Sequence, residues 1–258
     1  MKNIKLIITD LDFTIIHTDK SISDYTQNIF KKCSEYGIKT AIATARYQIG
    51  AEKYINILNP DFQITTDGTM VYCNGKLIYG CGFDLDTTNQ IIREIRKISE
   101  TQELTIAIDT EILWNSHNID ESPILYKAIY NDFSRPLESC AYKIVAELPD
   151  KDIALNIANK FSNCRVICYR GENRYGFINK NAGKIQAIKA LVNYLDIGLS
   201  NIIAFGDDLN DLEMLQECGY GVAVSNAVEE VLNIADYVTD SNDEDGVAKF
   251  IEKNIFHY

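Results

Sequence analysis

At 258 residues, with 46% hydrophobic and 24% charged side chains, the chain has the make-up of a globular protein of one large or two ordinary domains, which excludes fibrous and disordered classes. A net charge of −12 repels phosphate backbones and anionic lipid headgroups, so neither nucleic acid nor a membrane is expected as a partner, and an anionic ligand needs a local cation. No apolar run approaches the roughly 20 residues of a membrane span, and the seven cysteines, odd in number and without a Cys-x-x-Cys pair, read as free thiols in a reducing compartment, so a cytoplasmic location is expected.

In chain order, Lys5 to Thr9 forms a short apolar strand, followed by a helix from about Ser23 to Tyr36 that Gly37 stops. Then come a strand from Ile38 to Ala43, a helix from about Tyr47 to Leu58 and a strand from Phe62 to Thr65. This is the alternation of a parallel sheet with crossover helices. Met70 to Cys73 and Lys76 to Tyr79 flank Asn74-Gly75, a strong hairpin signal. Past Gly80-Cys81-Gly82 the texture changes to a helix from about Thr88 to Ser99 and alternating strands at Leu104 to Ile108, Tyr142 to Leu148 and Val166 to Tyr169, which predicts an inserted α+β unit. The first rhythm resumes after Phe177-Ile178: a helix from about Ala182 to Leu195, a strand from Ile202 to Phe205, a helix from Leu209 to Glu217, the run Gly221 to Val224, and a last helix from about Glu244 to Lys253. The fold class is therefore α/β, with a core over 1–80 and 179–258 and an insertion over 81–178. The two crossings between them contain Gly80, Gly82 and Gly176, which suggests hinges.

Three apolar runs end in a reactive residue: Asp10, Thr44 and Asp207. In a doubly wound sheet such strand ends share one crevice at the switch point of strand order. Asp10, Asp12, Asp207 and Asp211 gathered there repel one another by roughly 4 kcal/mol per pair at 4 Å and an effective dielectric of 20, so a divalent cation is expected with them. Carboxylate oxygens without histidine or thiolate select Mg2+. A carboxylate held at a strand end suits nucleophilic attack on phosphorus, with Asp12 placed to protonate the leaving group and later to activate water. Thr44, Lys184 and the backbone amides from Leu11 onward are candidates to hold the phosphoryl oxygens.

These residues resemble the motifs of the haloacid-dehalogenase-like superfamily: Asp10-Leu11-Asp12-Phe13-Thr14 the first, Thr44 within Ala43-Thr44-Ala45-Arg46 the second, Lys184 the third, and Gly206-Asp207-Asp208-Leu209-Asn210-Asp211 the fourth. The later stretches Gly221 to Ala227, Ala235 to Thr239 and Asp245-Gly246-Val247 are similar to the tail of the Cof-type, large-cap subclass. The resemblance implies a Rossmann-like core with an inserted cap, Mg2+, and hydrolysis of a small phosphorylated metabolite such as a sugar or cofactor phosphate, with no obligate protein partner. Phe13 stands where the family usually has Gly, Ala45 where it usually has Gly, and Asp67 where it usually has Asn. Ala45, Arg46, Asp67 and Asn210 are candidates for substrate contact. Two other readings share this fold: a phosphotransferase or mutase that passes the phosphoryl group to a second hydroxyl, and a catalytically weak phosphate-binding regulator. Substrate identity is expected to lie in the insertion, which carries Trp114, His117 and the basic aromatic segment Tyr169 to Tyr175, although packing of the insertion's own sheet accounts for Trp114 and the tyrosines equally simply.

Overall fold

The computed structural model describes residues 1, 3–98, 103–108, 111–116, 127–169 and 172–256; His117, Arg170 and Gly171, singled out in the sequence, lie outside them. Two compact units divide the chain: Met1–Ala45, Ala51–Tyr79 and Lys184–Tyr258 form the first, and Arg46–Gly50 with Gly80–Gly183 the second.

In the first unit, β1 (Leu6–Thr9) sends Ile7 to one face of its sheet and Leu6 and Ile8 to the other, and all three are fully buried. A strand covered on both faces must be apolar throughout, which is why these runs do not alternate. The strands are β2 (Lys39–Ala43), β3 (Phe62–Thr65), β4 (Met70–Cys73), β5 (Lys76–Gly80), and, from the chain's last part, β12 (Ile202–Gly206), β13 (Tyr220–Val224) and β14 (Tyr237–Thr239). Their order is β14-β13-β12-β1-β2-β3-β4-β5. Pairing is parallel from β14 through β3 and antiparallel between β3 and β4. The Asn74-Gly75 turn between β4 and β5 has both residues at positive φ, as a two-residue hairpin requires.

Helices α1 (Asp24–Glu35), α2 (Gln48–Leu58) and α8 (Gly246–Ile251) pack through Ile29, Phe30, Tyr54 and Ile251 on the Ile7 face. Helices α5 (Lys184–Leu195), α6 (Leu212–Glu217) and α7 (Glu229–Ile234) pack through Ile188, Leu191, Met214 and Val231 on the other. Successive strands run outward in both directions from the adjacent pair β1 and β12, which is the switch point.

The second unit has a six-stranded sheet ordered β10-β11-β9-β6-β7-β8, built from β6 (Leu104–Ile108), β7 (Glu111–Trp114), β8 (Ile129–Tyr130), β9 (Lys143–Glu147), β10 (Cys164–Cys168) and β11 (Arg174–Asn179). Helices α3 (Leu85–Arg96) and α4 (Lys151–Ala158) cover one face, packing Ile91, Ile95 and Ile157 on Ile106, Ile144 and Phe177. On the opposite face Ala107, Ile112, Trp114 and Val145 cluster with Tyr47 of the Arg46–Gly50 segment.

Several expectations are revised. The helix expected from Leu209 to Glu217 is a 3₁₀ turn, Leu209–Asp211, followed by the six-residue α6, because Asp211 turns its carboxylate inward beneath Gly206. The last helix starts at Gly246, since Asp245 is left-handed at φ 57°. Gly176 is no hinge: it sits inside β11, where a Cβ would meet the Tyr169 hydroxyl at 2.6 Å. Gly80 likewise makes room for the Tyr142 ring, 2.7 Å from its missing Cβ. All seven cysteines are free. Among the described residues, no helix is long and apolar enough to cross a membrane.

Candidate active site

Asp10 follows β1 and Asp207 follows β12, and the pairing of Thr9 with Phe205 sets the two residues side by side. The Asp10 amide donates to the Phe205 carbonyl at 3.0 Å, continuing the ladder to the strand end. Asp211 reaches the same place from the 3₁₀ turn. Its Oδ2 accepts from the amides of Asp207 and Asp208 at 3.1 and 3.2 Å, and it is fully buried. This approach explains the glycine of Gly206-Asp207, because a Cβ on Gly206 would lie 2.5 Å from the Asp211 Cβ.

Lys184, first residue of α5, inserts its ammonium between two of these acids and donates to Asp10 Oδ1 at 2.7 Å and Asp211 Oδ1 at 2.6 Å. Thr14 donates its hydroxyl to Asp207 Oδ1 at 2.5 Å. Asp10, Asp207 and Asp211 each offer an oxygen within 4.8 Å of the others. Burial raises the Asp10 pKa well above its ordinary value, against the pull of Lys184 and with the push of Asp211 and Asp207. Burial also lifts Asp207 to about 7, opposed by the Thr14 hydrogen bond and aided by Asp211. Lys184 is raised despite its burial, because the Asp10 and Asp211 charges favour its ammonium form. Three converging hard oxygens whose charge is under-compensated fit a divalent cation such as Mg2+.

Asp12 stands outside that group of three, with its Oδ1 3.6 Å from the Lys20 ammonium. The Leu11 side chain is core, while its carbonyl accepts from the amides of Ile15 and Ile16 at 3.2 and 2.9 Å and so closes the loop after β1. Phe13 is left-handed at φ 59°, the conformation that a glycine would adopt without strain and that costs another residue about 1–2 kcal/mol. Its ring is half exposed, with the Lys20 ammonium 4.8 Å from the centroid, and its carbonyl accepts from Asn226 Nδ2 at 2.7 Å. Asn226 in turn accepts from the Asn242 amide at 2.9 Å.

Thr44 is buried at the end of β2; its amide donates to Ile64, and its carbonyl accepts from the Asp67 amide at 3.2 Å. Asp67 is buried and left-handed, with φ 58°. Ala45 is half-buried and ends the first unit's early segment. Arg46 belongs to the second unit and donates to the Gly50 carbonyl at 3.0 Å. Asn210 is exposed on the 3₁₀ turn. Trp114 is buried in its sheet's apolar cluster, and Tyr175 lies in the core under α3 and α4.

Sequence reasoning left Thr14 without a partner and missed Lys20, Asn226 and Asn242. Thr14 sits in the first motif, which is a signal for it. Asn226 and Phe13 are 213 positions apart, and nothing local marks their pairing.

A doubly wound sheet that converges two strand-end carboxylates, a third buried acid and a lysine at its switch point, with an α+β unit inserted, defines a hydrolase built for phosphoryl groups. A family model for haloacid dehalogenase-like hydrolases matches residues 7–251. The chain belongs to that family, as a Cof-type member, and is a phosphoric monoester hydrolase. It is similar to the 5-amino-6-(5-phospho-D-ribitylamino)uracil phosphatase YcsE of Bacillus subtilis, at 27% identity over 254 residues, covering 96% of this chain and 95% of that one. A putative phosphatase of Haemophilus influenzae is 27% identical over 262 residues, covering 96% and 97%. A haloacid dehalogenase-like hydrolase from Bacteroides thetaiotaomicron shares the fold with a TM-score of 0.82 at 24% identity, covering 97% of this chain and 99% of that one.

Proposed function

We propose that the protein is a Mg2+-dependent phosphatase of a small phosphomonoester, a sugar or cofactor phosphate, that works in the cytoplasm through an aspartyl-phosphate. The observation that carries this reading is the meeting of Asp10, Asp207 and Asp211 within 4.8 Å, with Lys184 bonded to two of them. Side chains of Asp10, Asp207 and Asp211 would hold the cation, which supplies positive charge to a phosphoryl oxygen and keeps the carboxylates ionised.

Lys184 occupies Asp10 Oδ1, so attack on phosphorus is assigned to Oδ2. As the Asp10–phosphorus bond forms, the bond from phosphorus to the ester oxygen breaks, and Asp12 gives that oxygen its proton. Asp12 then takes a proton from water, the resulting hydroxide attacks phosphorus, and the Asp10–phosphorus bond breaks to release inorganic phosphate and restore both acids. Thr44, Lys184 and the amides from Leu11 onward orient the transferring group. Thr14 holds Asp207 at its station.

The similarity to a phosphatase that acts on a phosphorylated ribitylaminouracil supports a small soluble substrate. Phosphate release from p-nitrophenyl phosphate with and without Mg2+ tests the reading. Asp10→Asn is expected to abolish turnover while keeping the fold, and retention of more than about a hundredth of parental activity would remove Asp10 as the nucleophile, given the several orders of magnitude such residues supply.

A further inference from the structure

In the first unit β14, β13, β12 and β1 run parallel, so the loops that follow them lie along one edge of the sheet. Two asparagines from those loops reach the segment after β1. Asn226, two residues past β13, donates from Nδ2 to the Phe13 carbonyl at 2.7 Å. Asn242, three residues past β14, donates from Nδ2 to the Ile16 carbonyl at 3.0 Å. The pair is joined, because the Asn242 amide donates to Asn226 Oδ1 at 2.9 Å. Both ends of the Asn226 carboxamide are thereby engaged, which fixes its orientation.

The two carbonyls belong to the backbone neighbours of Asp12. Phe13 follows it in the chain, and Ile16 pairs with it in an isolated parallel bridge. On one side of Asp12 the Asp10 amide is anchored to Phe205, and on the other the Thr14 hydroxyl is anchored to Asp207. The direction of Asp12 is therefore set by the few torsions between these points. One of them is strained: Phe13 has φ 59°, which costs a residue other than glycine about 1–2 kcal/mol and persists only where the surroundings hold it. The Asn226 bond lies just beyond that torsion and is worth about 0.5–1.5 kcal/mol, comparable with the strain it opposes. Once it is lost, Phe13 relaxes towards negative φ, and that rotation swings the peptide that joins it to Asp12.

We infer that Asn226, braced by Asn242, is a positioning residue for Asp12 and keeps its carboxyl aimed at the ester oxygen of the leaving group. The inference rests on the phosphatase reading above, in which Asp12 gives that oxygen its proton as the phosphorus–oxygen bond breaks. The brace also accounts for a phenylalanine at a position whose backbone suits glycine.

The test uses kcat/KM, which covers the steps through phosphorylation of Asp10, for the Mg2+-loaded protein on two esters. The leaving group of 2,4-dinitrophenyl phosphate departs without a proton, whereas that of phenyl phosphate is helped by one. Asn226 is exposed, so Asn226→Ala leaves the core packing in place. It is expected to lower kcat/KM about tenfold on phenyl phosphate and less than about threefold on the dinitrophenyl ester. Asp12→Asn should show the same asymmetry more strongly. Equal losses on both esters in Asn226→Ala, as a merely structural role would give, or no loss on either, overturn the inference. If Asn226→Ala does not fold, Asn226→Ser, too short to reach the Phe13 carbonyl, decides by the same ratio. Asymmetry in Asp12→Asn without asymmetry at Asn226 removes this inference alone. Absence of asymmetry in Asp12→Asn, or a parent that hydrolyses neither ester, removes the underlying reading and this inference with it.

Discussion

Lys184→Met is the substitution that most directly probes the electrostatics of the site. The ammonium is 2% exposed and lies 2.7 Å from Asp10 and 2.6 Å from Asp211, so each pair is attractive by about 6 kcal/mol at an effective dielectric of 20, before desolvation is set against it. Methionine fills the same volume without the charge and leaves two buried carboxylates facing each other. Their cheapest relief is protonation of Asp10, already pushed upward by burial. Taking an acid with an ordinary pKa of 3.8 to its neutral form at pH 7 costs about 4 kcal/mol, which caps the loss. Mutational experience with one-sided removal of buried ion pairs gives a matching 3–5 kcal/mol, roughly. The sign with pH follows. In the variant Asp10 titrates higher folded than unfolded, so the folded state binds the extra proton, and stability falls as pH rises above the unfolded value near 4. Urea unfolding at pH 5 and pH 8 should therefore show a deficit of about 3–4 kcal/mol at pH 8 that shrinks at pH 5. Saturating Mg2+ should recover about 2–3 kcal/mol at a hundred times its Kd. A deficit below about 1 kcal/mol at pH 8, or one that grows on acidification, would refute the reasoning.

Gly206→Ala should lower phosphatase activity and cost roughly 1–3 kcal/mol of stability, because its methyl would enter the space of the Asp211 Cβ at 2.5 Å; unchanged activity would show that Asp211 can move without consequence. Thr14→Val is expected to weaken Mg2+ activation by about tenfold or more through loss of the hydrogen bond to Asp207, read as the Mg2+ concentration giving half-maximal rate. Asp245 accepts from Ser23, Thr26 and His17 at 2.6, 2.8 and 3.1 Å, and although burial opposes it, these partners lower its pKa below 3.8. Its contribution to stability is present above that value and disappears as pH falls through the depressed one, so Asp245→Asn should lose about 1.5–3 kcal/mol at pH 7 and converge on the parent in acid; chemical denaturation at pH 7 and below pH 3 reads both.

The convergence of Asp10 and Asp207 at one sheet edge was legible because its signals are local. Asp10 and Asp207 each end an apolar run, and a strand that stops at a carboxylate announces which sheet edge it serves. What the sequence hid are pairings whose two halves carry no mark of each other. Asn226 supports the Phe13 carbonyl across 213 positions, and Thr18 meets Asp243 across 225. Glycines misled in the opposite direction: Gly176 reads as freedom in a sequence, but in β11 it is a space occupied by Tyr169. The short elements α4, α7, β7, β8, β11 and β14 went unassigned because two to eight residues are too few to establish a period.

Under the proposed mechanism, the charges at the switch point give Lys184 and a cation separate tasks, although either alone would seem to relieve the acids. Three carboxylates against one ammonium leave an excess of two negative charges, the charge of one divalent ion. Without it the excess favours the protonated forms: burial raises Asp10 well above its ordinary value and Asp207 to about 7. A protonated Asp10 is no nucleophile. Lys184 bonds to Asp10 and Asp211, whereas the Asp207 Oδ1 is held by Thr14. The lysine thus balances the two most buried acids well enough for the core to fold, while the remaining imbalance makes the ionised nucleophile depend on a bound Mg2+, so that under the proposed mechanism folding and activation are controlled by different cations.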